Sequence, residues 1–260
     1  MSGISRGRWY ATGLLCVALG MTGRDAGAQA RCQVQRPVPA LVVPLGAAPS
    51  RLDTDPKSPP WAGAATAQIS RDCSRQISYQ DLQTEVRAFW TQHDLYLLFT
   101  NPYRTLNLFL PAQGAGDRDR LWDRDVVEMF LGADWGNIRQ YREFEIAPTG
   151  DHVDLAIDLA RQHYDQAWSS GWETAARIDQ AARVWFAAAR IPLTAVSASP
   201  VTDGTRWRIN LYRIDGEGPD SLRRFLCWQP TCVVNQDPNH VPEAFGTLVF
   251  SKGATPGGKR

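Results

Sequence analysis

Apolar and polar residues alternate along many short stretches of this chain. On both sides of the turn at His93-Asp94, apolar side chains recur at every second position. A period of two is typical of antiparallel strands that bury one face. The same pattern, bounded by turn residues, predicts about eleven strands: Ala64–Ile69, Thr84–Thr91, Leu95–Thr100, Asp125–Leu131, Tyr141–Ala147, His152–Ile157, Gly171–Ile178, Arg183–Ala189, Thr205–Ile214, Phe225–Trp228 and Thr247–Phe250.

This arrangement of elements predicts an all-β fold. Many short strands separated by turns indicate a sandwich or barrel rather than alternating strands and helices, and we predict a sandwich of two antiparallel sheets, jelly-roll or immunoglobulin-like. Helical periodicity is weak except around Leu193–Ser197, where a single turn is expected after Pro192. We expect one folded domain over residues 61–250.

The two ends of the chain lack strand periodicity. Arginines precede an apolar run at Ala11–Met21, and small residues follow it, which predicts a secretory signal peptide over residues 1–30. Prolines interrupt residues 31–60 and predict an extended arm, while residues 251–260 predict a disordered tail. We therefore expect a soluble protein that is exported to the periplasm or the cell exterior.

The charge of the chain limits its possible partners. With 28 basic and 27 acidic residues the formal net charge is +1, and the basic residues do not cluster. Nucleic acids and anionic membranes select clustered positive charge, so we expect neither as a partner. No mature segment approaches the about 20 apolar residues that span a bilayer. We expect a monomer without a nucleotide cofactor.

Four cysteines follow the predicted signal peptide: Cys32, Cys73, Cys227 and Cys232. An even number in an exported protein predicts disulfides, for which three connectivities are possible. We expect a short Cys227–Cys232 link and a Cys32–Cys73 link that anchors the arm. A zinc site is disfavoured because no C-x-x-C pair is present.

One carboxylate interrupts an otherwise apolar predicted strand. In LWDRDVVEMFL (Leu121–Leu131), Glu128 lies among apolar residues on both faces. Removing a carboxylate from water costs several kcal/mol unless a charge or a hydrogen bond meets it, so we expect a partner or a ligand nearby. A turn at residues 123–125 would fold Trp122 back over Glu128. The alternative is a structural pair between Glu128 and an Arg, with Trp122 as an ordinary surface residue.

Two more carboxylates share one face of a predicted strand. Glu143 and Glu145 lie two residues apart in YREFEIAPTG (Tyr141–Gly150), which places them about 7 Å apart. This distance falls within the range of glycosidase acid/base pairs, so glycoside hydrolysis is an alternative function. The simpler interpretation is a binding or surface role.

An amide and a tryptophan are further candidates for ligand contacts. Asn210 in RWRINLYRID (Arg206–Asp215) needs hydrogen bonds if it is buried, so it is either a structural cross-link or a ligand contact. Trp228, inside the predicted Cys227–Cys232 loop, could present a rigid ring to a sugar or pack over the end of a sheet. Met129 and the scattered histidines leave a Met/His haem site conceivable.

Together these segments resemble the family 9 carbohydrate-binding modules and the stand-alone family-9-like, or DOMON-like, domains related to them. The likeness runs from LDTDPKSPPW (Leu52–Trp61) to HVPEAFGTLVF (His240–Phe250). It includes a W-x-x-D-x-V-E-x-F core and a closing P-x-x-F-G-x-L-x-F motif. The resemblance implies a β-sandwich, bound calcium in several members, and sugar binding without catalysis.

The resemblance also implies which residues bind the sugar. Two Trp rings in family members clasp the reducing end of a glucan or xylan chain, and they correspond to Trp122 and Trp228. The polar contacts correspond to Glu128 and Asn210. Sugar-binding members carry a basic residue at the position of Glu145, so the reversed charge predicts a change of ligand. We predict a secreted, non-catalytic carbohydrate-binding protein; the alternatives are a hydrolase or other component of polysaccharide breakdown and a haem-binding electron-transfer domain.

Overall fold

The computed structural model describes Cys32, Val34 and residues 38–74, 77–114, 116–233 and 237–253. The predicted signal peptide and residues 254–260 of the predicted tail lie outside the described residues. The strands are β1 (Ala40–Pro44), β2 (Ala65–Ile69), β3 (Arg71–Asp72), β4 (Thr84–Trp90), β5 (Asp94–Pro102), β6 (Val126–Gly132), β7 (Gln140–Ile146), β8 (His152–Asp158), β9 (His163–Asp165), β10 (Glu173–Asp179), β11 (Val184–Pro192), β12 (Arg206–Asp215), β13 (Arg224–Cys227) and β14 (Gly246–Ser251). One α-helical turn, α1 (Leu193–Val196), and four 3-10 turns (Pro59–Trp61, Gln80–Leu82, Leu121–Asp123 and Pro242–Ala244) connect them.

These strands form two sheets. The larger has the order β1-β14-β12-β6-β7-β8-β9, and β13 pairs with both β12 and β3 beside this path. The smaller has the order β10-β11-β5-β4-β2. Paired strands run antiparallel except β1 and β14, which are parallel. The predicted all-β sandwich is confirmed.

The main core fills the space between the sheets. Val127, Met129 and Leu131 of β6 are fully buried there, in one cluster with residues of the smaller sheet such as Leu97. The alternate residues of β6 face the other side of the larger sheet, where Phe130 belongs to a second buried cluster. This second layer explains why β6 reads as a continuous apolar run: both of its faces are covered.

The structure contains three strands that the pattern did not predict. β1 lies within the Pro-rich arm and pairs with β14 at the edge of the larger sheet, where a proline that cannot donate to a ladder is tolerated. β3 and β9 have only two and three residues, too few to show a period of two. Each of the eleven predicted strands has a counterpart, as does the single turn at α1.

The predicted disulfide pairing was wrong. Cys232 bonds to Cys32, 200 residues earlier in the chain, rather than to Cys227. Cys227 and Cys73 are free, buried thiols that contact each other. Strand β13 explains the difference, because its pairing with β3 brings Cys227 beside Cys73 in the second buried cluster. Burial raises the pKa of the Cys73 thiol, which favours its protonated form.

Candidate functional site

The outer face of the larger sheet carries a cavity of about 440 Å³. This volume falls within the range of small-molecule sites. Glu128 of β6 and Glu143 and Glu145 of β7 form its floor. Loops and turns supply most of its walls, among them Trp122, Asp123, Asp220, Arg223, Asp237, Pro238, Asn239 and His240.

Sheet register brings the three floor carboxyls together. Glu128 lies directly opposite Glu145 across the β6–β7 pair, and Glu143 lies two residues away from Glu145 on the same face of β7. Opposite residues on paired strands have Cβ atoms about 4.5–5.5 Å apart. All three residues are at most 4% exposed. The fold therefore holds three acidic side chains beside one another, out of bulk water.

Glu128 has one strong partner. The Nδ2 group of Asn239 donates a hydrogen bond of 2.7 Å to Glu128 Oε2. Burial raises the pKa of Glu128 well above its usual value, and the negative charges of Glu143 and Asp237 raise it further. The expected partner of the buried carboxylate is thus an amide from a loop 111 residues later, rather than an Arg.

Glu145 and Glu143 have fewer partners. Among the described residues, the carboxyl of Glu145 meets the carboxyl of Glu143, with which it can share a proton in a hydrogen bond, and no other donor. Burial raises the pKa of both groups; the charge of Glu128 adds to the rise at Glu145, and His240 opposes it at Glu143. The His240 Nε2 atom lies 3.7 Å from Glu143 Oε2. Apart from these contacts, the floor therefore offers acceptor capacity that the described residues leave unused.

Three aromatic residues, Trp122, Tyr164 and Phe225, line the same cavity. Trp122 is part of the 3-10 turn that precedes β6, where the guanidinium of Arg223 donates to its carbonyl. Tyr164 of β9 is 45% exposed, and its ring packs edge-on against His240 at 5.3 Å. The structure thus places Trp122 near Glu128 and Glu145 and adds an aromatic side chain from a strand that the sequence did not reveal.

The structure does not bring Trp228 and Asn210 into this cavity. Trp228 packs against the core between the sheets, over Gly246, where an added Cβ would lie 2.6 Å from the Trp228 ring. The Asn210 Oδ1 atom accepts from the backbone N–H groups of Leu211 and Gln229, and its Nδ2 group donates to the Gln229 carbonyl, each at 3.0 Å. Asn210 therefore joins β12 to the loop after β13.

Sequence reasoning missed several residues of the cavity walls. Asn239 and His240 lie three and two residues before Pro242 of the closing P-x-x-F-G motif, and their position near a family-like motif is a signal that could have identified them. Tyr164 and Arg223 carry no comparable signal, because a three-residue strand and a loop position them.

Comparison with known proteins supports the fold. No family model and no curated protein matches this sequence. A crystal structure of a Bacteroides uniformis ATCC 8492 protein proposed to bind carbohydrate matches with a TM-score of 0.63 at 18% identity, covering 82% of this chain and 99% of that chain. A family 9 carbohydrate-binding module from Caldicellulosiruptor kristjanssonii also matches. Its cellotriose complex has a TM-score of 0.58 at 15% identity, covering 82% of this chain and 94% of that one; its glucose complex has 0.58 at 16%, covering 85% and 100%.

The chain has the fold of a family 9 carbohydrate-binding module. Bound calcium is implied by the resemblance to this family, but no group of three or more His, Cys, Asp or Glu side chains is arranged to hold a metal ion within the described part of the chain. Calcium binding stays a prediction, with no ligands assigned. Met129 is buried between the sheets while His240 lies at the outer cavity, so these two residues do not face a common site. The described helices include none that is long and apolar enough to cross a membrane.

Proposed function

We propose that this protein binds a carbohydrate in the outer cavity of the larger sheet and does not cleave it. The observation that carries the proposal is the joint presence of aromatic rings, Trp122 and Tyr164, and unused carboxyl oxygens in one cavity of ligand size. Apolar faces of a sugar ring stack on aromatic side chains, and its hydroxyls donate to carboxyl oxygens. The family 9 structures with cellotriose and glucose support this choice of ligand class.

Contact between Glu143 and Glu145 favours binding over hydrolysis. Glycosidases hold their two catalytic carboxyls about 5 Å or more apart, so that a sugar or a water fits between them. The Glu143 and Glu145 carboxyls contact each other, which is closer than that arrangement needs. Hydrolysis would be indicated by release of reducing sugar that is lost in a Glu143→Gln variant.

Calorimetric titration with neutral, acetamido and amino oligosaccharides tests the proposal. We expect one sugar class to bind, and Trp122→Ala and Tyr164→Ala to weaken its binding, by about thirtyfold for a central aromatic contact. Trp135→Ala is the matched control, because Trp135 is 48% exposed and does not line the cavity. Failure of every oligosaccharide to bind would contradict the proposal. A loss of affinity in Trp228→Ala, without one in Trp122→Ala, would place the site elsewhere.

A further inference from the structure

Acidic side chains predominate in the cavity lining. Two of its residues, Arg223 and His240, are basic, whereas six are acidic: Asp123, Glu128, Glu143, Glu145, Asp220 and Asp237. The formal net charge of the whole chain is +1. The acidity therefore belongs to this cavity and does not reflect an acidic protein.

Only the rim of the cavity has its charge compensated by arginine. Asp123 pairs with Arg120 at 2.7 Å, and the Arg223 guanidinium pairs with Asp220. No Lys or Arg among the described residues forms a salt bridge with the three floor carboxyls. His240 reaches Glu143, at 3.7 Å, and shares its other ring nitrogen with the Tyr141 hydroxyl at 2.6 Å. The three acidic side chains of the floor are thus met by one nearby basic group, His240, and by the more distant charge of Arg223.

Glu145 indicates that the floor faces a ligand. The residue is 0% exposed and lines the cavity, and apart from the neighbouring Glu143 carboxyl its two oxygens meet no hydrogen-bond donor among the described residues. The Oε2 atom of Glu143 lacks one as well. Leaving a buried polar group unsatisfied costs about 1–3 kcal/mol, so native proteins contain few such groups. Burial raises the pKa of the Glu143 and Glu145 carboxyls in the free protein, and a ligand that brings both donors and a positive charge would favour their ionised form.

A neutral sugar and an amino sugar differ in what they bring to this floor. A hydroxyl offers one proton and no charge, whereas an ammonium group offers three donors and a positive charge. An ionised carboxylate strengthens its hydrogen bond to either group, but with the ammonium group there is in addition an attraction between opposite charges. We propose that the cavity selects an amino sugar with a free, protonated amine, which lies over the paired carboxyls of Glu143 and Glu145 while the sugar ring lies against Trp122. This inference rests on the proposed carbohydrate binding and adds the class of sugar.

Calorimetry at a single pH and ionic strength tests this selectivity. Glucosamine oligomers are compared with N-acetylglucosamine oligomers and cello-oligosaccharides of the same length. We expect the glucosamine oligomers to bind at least tenfold more tightly than either, and Glu145→Gln to reduce that preference at least tenfold. Glu143→Gln is a second variant in case the first fails to fold. Glu173→Gln on β10, in the smaller sheet, is the matched control and should leave the preference unchanged.

The outcomes separate this inference from the function on which it rests. Equal binding of amino and neutral sugars overturns the selectivity and leaves carbohydrate binding in place. Failure of every sugar to bind overturns both. Tight binding of calcium ions alone, lost in Glu145→Gln, would make the floor a cation site and overturn the inference. A glucosamine preference that survives both Gln variants would overturn the assignment of the two carboxyls.

Discussion

At the residue scale, Asn239 stabilises the cavity floor because its side-chain amide donates a hydrogen bond to the Glu128 carboxyl. Both residues are at most 3% exposed. Asn239→Ala leaves the Glu128 carboxyl without that donor, which should lower the free energy of unfolding by about 1–3 kcal/mol. Urea denaturation at pH 7 measures the change. Asn137→Ala, at a partly exposed loop position, is the control and should stay within about 0.5 kcal/mol of the wild type.

A double-variant cycle tests whether Asn239 acts through Glu128. In a Glu128→Met background no side-chain oxygen is left to accept from Asn239, so Asn239→Ala should cost distinctly less than in the wild type, with a coupling of at least about 0.5 kcal/mol. Equal costs in both backgrounds would show that Asn239 stabilises the loop by other means. The sequence predicts that a buried Glu128 needs a partner, but 111 intervening residues hide which residue provides it.

At the element scale, most strands could be predicted from the sequence, but which strands pair with each other could not. The period of two reveals β4 and β5 directly, because each strand has enough residues to repeat the pattern. β9 has three residues, yet it positions Tyr164 at the cavity. The predicted contact between Trp228 and a sugar assumed a loop closed by a Cys227–Cys232 disulfide. In the structure, Cys227 ends β13 inside the second cluster, and Trp228 packs on the opposite side, against the inter-sheet core.

The contact between β14 and Trp228 gives a test of this placement. In a Gly246→Ala variant, the new Cβ would lie 2.6 Å from the Trp228 ring and 2.9 Å from the Pro39 carbonyl. Because the backbone carbonyl cannot move freely, we expect a loss of about 1–3 kcal/mol in unfolding free energy. Gly63→Ala is the matched control, since nothing lies within 4 Å of its Cβ, and it should be close to neutral. An equally stable Gly246→Ala protein would contradict the packing of Trp228 described here.

At the scale of the whole molecule, the disulfide partners and the strand register depend on contacts between distant parts of the chain, and the sequence alone did not predict them. The Cys32–Cys232 bond joins residues 200 positions apart, and spacing along the chain favours the wrong, local partner. By chain entropy, a link that closes a loop of this length contributes about 5 kcal/mol, against about 2 kcal/mol for a short link. Likewise, Glu143 and Glu145 could be placed on one strand face from the sequence, but the register that sets Glu128 opposite Glu145 is tertiary. The acidity of the cavity follows from that register.

Buried carboxyls across the molecule predict an unusual dependence of stability on pH. Burial raises the pKa of Asp125 to about 6 and also raises the pKa values of Glu128, Glu143 and Glu145. An acid whose pKa is higher in the folded state binds more protons there than in the unfolded chain. Such an acid therefore stabilises the folded protein fully at pH values below the pKa that it has in the unfolded chain. This stabilisation is lost as the pH rises through the pKa that it has in the folded protein. Asp53, Asp81 and Asp158 have lowered pKa values and act in the opposite sense, but solvent screens these groups.

We therefore expect the free energy of unfolding to fall as the pH rises from about 4.5 to 8. Asp125 contributes to this fall between about pH 4.5 and its folded pKa of about 6, and one pKa unit corresponds to about 1.4 kcal/mol, so its share is on the order of 2 kcal/mol. The floor carboxyls extend the decline above pH 4.5. Urea titrations at several pH values measure it. Glu145→Gln should flatten the curve because it removes one of the coupled acids, whereas the surface control Glu173→Gln should not. Stability that rises between pH 5 and pH 8 would show that these carboxyls are ionised and satisfied in the folded protein.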